Sequence, residues 1–299
     1  MTGMPPSTEG NATPRIAAIL VNWRAPAMTL TAVERALEQS LSPDLLYVVD
    51  NGSSDGSVDM LRPALSAFGE QVALLENPHN EGFGSGCNLA LRQALEAGVD
   101  YVWLLNNDAV PAPDCLSRLA AAAAAAPVPV GIVGSLLVDP TGVTPAHFGS
   151  WLNPVTLTCG ALAPELTHSH RLGWMTAASM LVSVAALRSA GVFDPRFFMY
   201  WEDADLNIRI REAGFSIIGA ADAIVEHHAG TSSSDIPTQR YLWHFASQDR
   251  FLRKHHPIPL AARAALRGKY LLKALIDRDL RRFEALVRAS LAIAWKAPL

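Results

Sequence analysis

From Ile16 to about Val138, short apolar runs alternate with stretches of helical character, and each run breaks off in small polar residues. Leu45-Leu46-Tyr47-Val48-Val49 is continuously apolar and stops in Asp50-Asn51-Gly52-Ser53-Ser54-Asp55-Gly56-Ser57. Val99 through Leu105, interrupted at Asp100, stops in Asn106-Asn107-Asp108. Apolar runs of roughly four to eight residues bounded by turn formers read as buried strands. Their alternation with helices predicts a parallel, doubly wound half over residues 15–138. Within it, Asp55 is placed to cap a helix starting near Ser57, and the alanine run Ala120 to Ala126 predicts a helix ended by Pro127. From 139 to about 235 the pattern mixes short strands and helices, and a helical extension follows over 236–299.

The polar ends of these runs are where ligands bind in open α/β sheets. Asp108, with Asn106 or Asn107 beside it, offers hard oxygen ligands suited to Mg²⁺ or Mn²⁺ carrying a substrate diphosphate. The alternative is an ordinary strand-to-turn junction, for which Asn and Asp are common. Asp50 is placed to accept hydrogen bonds from a nucleotide base or ribose, while Gly52 and the serines permit close backbone approach. Further along, Tyr200-Trp201-Glu202-Asp203-Ala204-Asp205 crowds three carboxylates behind an aromatic pair at the start of a helical pattern. Neighbouring like charges would raise the pKa of Asp203 or Glu202 toward that of a general base. The competing reading is an acidic helix N-terminus favoured by the helix dipole. Asp205 and Arg209 stand four apart, the spacing of a pair along one helix.

Half of the 299 residues are hydrophobic, enough for one large α/β domain plus an extension. Cys87, Cys115 and Cys159 are scattered without C-x-x-C spacing, which argues against a zinc site or a disulfide scaffold and suits a reducing compartment such as the cytoplasm. Residues 1–14 lack the charged start and apolar core of a signal peptide and read as a disordered tail. No window reaches the roughly 18–20 apolar residues of a membrane span.

The extension has a different charge balance. From Ile258 to Leu299 there are nine Lys or Arg against three Asp or Glu, leaving fifteen against twenty-five in residues 1–257. The acidic main part disfavours nucleic-acid binding. On a single helical wheel, Arg263, Arg267, Arg278, Arg281, Arg282 and Arg288 fall opposite Leu272, Ile276, Leu280, Phe283, Leu286 and Val287. Segregated basic and apolar faces are the pattern of a helix lying on an anionic membrane. Packing on the main domain or on a second subunit, as a homodimer, is the alternative, and Pro257-Ile258-Pro259 predicts a break before the main helix.

The motifs in order resemble those of inverting nucleotide-sugar glycosyltransferases of family 2, in the rhamnosyltransferase-like branch. They run Ile19-Leu20-Val21-Asn22-Trp23, Val49-Asp50-Asn51-Gly52-Ser53, Asn80-Glu81-Gly82-Phe83-Gly84-Ser85-Gly86-Cys87-Asn88, Leu105-Asn106-Asn107-Asp108, Gly191-Val192-Phe193-Asp194, Trp201-Glu202-Asp203 and His227-His228-Ala229-Gly230-Thr231-Ser232. The three glycines of the Gly82 segment are wrongly spaced for a dinucleotide fingerprint. The resemblance implies a GT-A fold, Rossmann-like, with a mostly parallel central sheet flanked by helices. It implies that Val21, Asn22, Asp50, Asn80, Gly82, Asn88 and Asn107 lie on the nucleotide side, that Asp108 and His227 hold Mg²⁺ or Mn²⁺, and that Trp201 and Asp205 face the acceptor. Asp203 matches the catalytic base, with Glu202 beside it. Asn106 replaces the first acid of the family's D-x-D, and His228 leaves the register of His227 open.

The chemistry so implied is a single displacement at the anomeric carbon, from a nucleotide-sugar donor such as dTDP-rhamnose or a UDP-sugar including galactofuranose. The acceptor is a saccharide or a polyprenyl-linked saccharide in envelope polysaccharide synthesis, and the site of action the inner face of the plasma membrane. A catalytically inactive sugar-nucleotide sensor, or a metal-dependent phosphotransferase, would share the strand-end acids, although no phosphate-binding G-x-x-x-x-G-K-[ST] loop is present. Gln239-Arg240-Tyr241-Leu242-Trp243 only approximates the Q-x-x-R-W of processive relatives.

Overall fold

The computed structural model describes residues 13–139, 149–153, 159–162, 165–166, 173–228, 237–256 and 260–294. Almost all of the expected N-terminal tail, and Gly230-Thr231-Ser232 of the histidine motif, lie outside these residues. Strands β1 (Ile16–Asn22), β2 (Leu45–Asn51), β3 (Val72–Asn77) and β4 (Tyr101–Leu105) pair in parallel in the order β3-β2-β1-β4. Helices α1 (Pro26–Leu37), α2 (Ser57–Ser66) and α3 (Phe83–Glu96) make the crossovers. The expected Asp55 cap is not formed: Gly56 occupies the N-cap of α2, and Asp55, one residue earlier, makes a local turn in which its Oδ1 accepts from the Ser57 amide at 3.0 Å. Short β5 (Ala109–Pro111) and α4 (Cys115–Ala125) follow, the alanine run ending its helix before Pro127.

Beyond α4 the sheet becomes mixed. β11 (Ser179–Ser183) lies antiparallel between β4 and β6 (Val130–Val138), β12 (Ser216–His227) runs parallel to β6, and β5 closes the far edge antiparallel to β12. β9 (Glu165–Leu166) also pairs with β12, while β7 (Gly149–Leu152), β8 (Cys159–Ala161) and β10 (Gly173–Met175) form a separate three-stranded sheet. Helices α5 (Val184–Ala190) and α6 (Glu202–Glu212) complete this half. The central strands are apolar throughout because both faces are covered. Val48 packs with Leu20, Leu61 and Trp103 on one side, and Val49 with Ile19, Leu91 and Leu104 on the other. Trp103, fully buried, satisfies its indole N–H on Ser179 Oγ at 3.1 Å. Parallel register places Asn22 beside Asp50 and Asn51 beside Asn77, so the polar ends gather on one edge.

The extension is three helices, α7 (Pro237–His255), α8 (Leu260–Ile276) and α9 (Leu280–Ala294). The single wheel drawn through residues 263–288 does not survive, because the chain reverses between α8 and α9 with Arg278 in left-handed conformation at φ 54°. Leu286 is buried and packs with Phe245 of α7, and Arg282 turns inward to lie 5.8 Å from the Tyr241 ring. Leu272, Leu275, Ile276 and Leu280, in contrast, are 59, 51, 71 and 74 % exposed around that reversal.

Helix α7 is joined to α6 through a cluster of Phe197, Trp201, Ile208, Phe251 and Leu252 and through charge. Asp205, with no exposed surface, receives Arg209 Nε at 2.8 Å, Lys254 Nζ at 2.7 Å and His255 Nε2 at 2.6 Å. Arg209, the expected partner four residues on, also donates to the carbonyls of Ala190, Gly191 and Val192. Asp205 therefore ties α6 to both the α5 loop and the extension. Removing one member of a buried ionic cluster leaves uncompensated charge at a cost of about 3–5 kcal/mol. Asp205→Ala is expected to lower thermal stability by that order and to speed amide exchange in α7; unchanged exchange there would show that the apolar cluster alone holds the helix.

Candidate active site

A cavity of about 490 Å³ opens at the polar edge of the sheet, within the range of small-molecule sites. Three groups of side chains line it. Val21, Asn51, Asn80 and Phe83 come from the ends of β1 and β2 and the start of α3; Asn106, Asn107 and Asp108 follow β4, with His227 at the end of β12; Thr176, Ala177, Tyr200, Trp201, Glu202 and Asp203 face them. Arg240 and His244 of α7 close the wall.

The antiparallel pairing of β5 with β12 sets His227 opposite Ala109, which brings it beside Asp108. His227 Nε2 lies 3.2 Å from Asp108 Oδ1 and 3.4 Å from Asn106 Nδ2, whereas His228 contributes its backbone amide to the Asp108 carbonyl. Of the two histidines, His227 therefore faces the acid. Asn106 Oδ1 is buried with no hydrogen-bond partner among the described residues. Among those residues no group of three or more His, Cys, Asp or Glu converges. A carboxylate, an imidazole nitrogen and an orphaned amide oxygen still fit a hard divalent cation, since such ions commonly complete their shell with water and substrate oxygens.

Opposite, the segment before α6 is strained. Tyr200 and Trp201 both have φ of 67°, a left-handed conformation costing about 1–3 kcal/mol per non-glycine residue. The extension holds it there. Ser247 Oγ donates to the Met199 carbonyl at 2.8 Å, and Arg240 Nε donates to the Tyr200 hydroxyl at 3.1 Å. The Trp201 ring packs on Trp174, Phe251 and His244 and is only 6 % exposed.

The strained turn presents Glu202 and Asp203 in the first turn of α6. Asp203 accepts from the amides of Ala204 at 2.7 Å and Ala177 at 3.3 Å. Burial nevertheless outweighs these donors and pushes its carboxyl up to about 6. Glu202 is pushed well above the carboxylate range, first by burial and then by the charge of Asp203, and its Oε2 has no hydrogen-bond partner among the described residues. Burial and the Asp203 charge both favour the protonated form of Glu202, leaving Asp203, with its two backbone donors, as the carboxylate able to accept a proton. Burial and the Arg282 charge lower His244 to about 4, so its imidazole is neutral.

Several residues expected in the site are elsewhere. Asp50 is buried and accepts from Asn22 Nδ2 at 2.7 Å and from the Ser53 amide and hydroxyl at 3.0 and 2.6 Å. Asn22, also buried, accepts from Thr29 Oγ1 at 2.8 Å, and neither residue lines the cavity. Asn88 clamps the backbone of Phe193 through both ends of its amide, at 2.9 and 3.0 Å. Gly82 has φ of 88° and meets the Phe198 carbonyl where a Cβ would stand. These four hold the loops around the cavity, and Asp205 lies in the ionic cluster beneath it. Asn51, Phe83, Thr176, Arg240 and His244 were not singled out from sequence as site residues. The polar loop after β2 was a signal for Asn51; in α7 the one signal was the approximate Q-x-x-R-W of Gln239-Arg240-Tyr241-Leu242-Trp243.

The family described as "Glycosyl transferase family 2" matches residues 18–164. A Mycobacterium tuberculosis N-acetylglucosaminyl-diphospho-decaprenol L-rhamnosyltransferase is 29 % identical over 285 residues, covering 85 % of this chain and 90 % of that protein. A galactofuranosyltransferase, GlfT1, of Mycolicibacterium smegmatis is 28 % identical over 99 residues, covering 32 % of this chain and 31 % of its own length. Among solved structures, a mannosyltransferase from Pyrobaculum calidifontis in complex with GDP-Man and Mn²⁺ superposes with a TM-score of 0.60 at 17 % identity, covering 96 % of this chain and 89 % of that one. That likeness establishes the GT-A fold.

Because the folded Asp203 carboxyl titrates near 6 rather than near its usual 3.8, folding binds its proton. Stability is then lost as pH rises from about 4 through 6. Asp203→Asn is expected to raise the melting temperature at pH 8 and to leave it unchanged below about pH 4. A gain of equal size at both pH values would mean that the Asp203 site does not carry the shift.

Proposed function

We propose that this chain, which belongs to glycosyl transferase family 2, moves a sugar from a nucleotide-diphosphate donor to an acceptor hydroxyl with inversion, Asp203 serving as base. The observation that carries this reading is Asp203 itself, held near pKa 6 in a cavity whose opposite wall bears Asp108 and His227. A base works best with a pKa close to the operating pH. The acceptor oxygen attacks the anomeric carbon as its proton passes to Asp203, while the bond from that carbon to the diphosphate breaks and the electron pair leaves with the phosphate oxygen. Glu202, buried beside Asp203 with its carboxyl pushed well above the usual range, lies next to the reacting groups. Asp108, His227 and Asn106 would hold Mg²⁺ or Mn²⁺, which supplies charge neutralisation at the leaving diphosphate. In this reading residues 15–138 bind the nucleotide and 139–235 the acceptor.

For the donor we favour dTDP-rhamnose, supported by the rhamnosyltransferase likeness over most of the chain; a UDP-sugar such as galactofuranose is the second choice, supported by the shorter match. The same likeness supports a polyprenyl-diphosphate-linked saccharide as acceptor in cell-wall polysaccharide synthesis. An inactive sugar-nucleotide-binding protein would have no need of a base poised in this way. No described helix is long and apolar enough to cross a membrane. The exposed aliphatics at the α8–α9 reversal, with Lys269, Lys273, Arg278 and Arg281 around them, support contact with the anionic inner face of the plasma membrane.

Asp203→Asn is expected to lower turnover by about 10²- to 10⁴-fold with nucleoside diphosphate affinity nearly intact, and Glu202→Gln, which keeps a donor, to retain most of it. Lost affinity with normal turnover in Asp203→Asn would refute the base. In thermal-shift assays with dTDP, UDP, GDP and CMP, one nucleoside diphosphate should stabilise the protein more with Mn²⁺ than without, and Asp108→Ala should remove that increment. Flotation with anionic vesicles should fail for the double variant Ile276→Glu, Leu280→Glu. Equal partitioning with the unaltered chain would reject the membrane role, and loss of a dimer in the variant would assign the patch to a second copy.

A further inference from the structure

We infer that Arg240 is the anchor for a substrate diphosphate, so that the first helix of the extension forms part of the binding site rather than an accessory to it. The inference rests on the transferase reading above. Among the described residues lining the cavity, Arg240 is the only Lys or Arg. Its Nε donates to the Tyr200 hydroxyl at 3.1 Å, which fixes the guanidinium plane and leaves the other N–H groups of the fork. Among the described residues no carboxylate forms an ion pair with it, whereas Arg209 and Arg267, also half-buried, each hold an Asp.

A half-buried guanidinium fixed by a neutral phenol and lacking an anion is preorganised to take one from solution. Guanidinium matches phosphate oxygens two at a time, which a carboxamide or ammonium cannot do. The wall also carries the carboxyl groups of Asp108, Glu202 and Asp203, which give an anion no attraction, and His244, on α7 with Arg240, is neutral because burial and Arg282 lower it to about 4. Among the described lining residues, a diphosphate entering this cavity therefore meets one permanent side-chain cation, Arg240. Because Arg240 holds Tyr200, an anion on its free N–H groups would also brace the strained turn that presents Asp203.

The diphosphate has two possible sources, the nucleotide donor and a polyprenyl-diphosphate acceptor. Titration calorimetry on the full chain with Mn²⁺, using dTDP, UDP and geranyl diphosphate, with thymidine and uridine as phosphate-free controls, separates them. Arg240→Gln should weaken at least one diphosphate by about ten- to hundredfold while nucleoside binding and melting temperature stay near those of the unaltered chain. Arg240→Lys, which keeps the charge and loses the fork, should fall between. Loss confined to dTDP or UDP assigns the donor, and loss confined to geranyl diphosphate assigns the acceptor. Binding of every diphosphate within about twofold of the unaltered chain overturns the inference alone. An unaltered chain that binds none of them overturns the transferase reading together with it. Should Arg240→Gln fail to fold, Arg240→Lys decides: affinities equal to those of the unaltered chain reject a bidentate anchor.

Discussion

Asp205 is the constraint on which the active end of this molecule depends. A carboxylate without exposed surface must be neutralised or hydrogen-bonded, and here Arg209, Lys254 and the His255 ring, from two helices, do both. Arg209 carries the connection on to three carbonyls of the α5 loop, and Lys254 carries it to Asp194. Helix α6 is therefore fixed at its first turns in rotation and in depth. That fixity lets the two residues before it, Tyr200 and Trp201, remain in a left-handed conformation that an unsupported chain would abandon.

Three acids close together in sequence consequently have three fates. Asp205 is charged and paired, with its carboxyl held below the usual range; burial alone would raise it, but His255, Arg209 and Lys254 outweigh burial. Glu202 has burial and the charge of Asp203, and its carboxyl is pushed well above the usual range. Asp203 has burial, backbone donors and the cavity, and lies between. Environments that separate the pKa values of neighbouring groups are how one fold sorts its acids and bases. On this reading the division of labour among the acids follows from which of them the tertiary structure supplies with counter-charge.

The extension enters the same balance. Helix α7 gives the cluster Lys254 and His255, gives the strained turn Ser247, and gives the cavity wall Arg240 and His244. Helices α8 and α9 pack against it through Leu286, Ala274 and Phe245 while leaving their shared reversal covered in exposed aliphatic side chains. A tip shaped like this and a wall that shares its first helix would set a surface-bound acceptor and the base at a fixed separation.

Much of this was legible in the sequence wherever the cause is local. Apolar runs ending in Asp50 and in Asn106 to Asp108 gave β2 and β4 and the edge of the sheet on which the cavity opens, because burial on both faces dictates an unbroken apolar run. The Asp205 to Arg209 pair depends on a spacing of four residues and was equally visible. Position along the chain could not tell which polar groups face the cavity. Asp50, Asn22 and Asn88 have side chains suited to a ligand, and each is turned onto neighbouring backbone or side chains instead. Nor could a helical wheel find Arg240 or the reversal at Arg278, since both depend on where α7, α8 and α9 pack. Sequence alone determined the strand ends and the acids gathered near them; tertiary structure decided which acid is paired with counter-charge and which side chains line the cavity, because desolvation and pairing depend on neighbours distant in the chain.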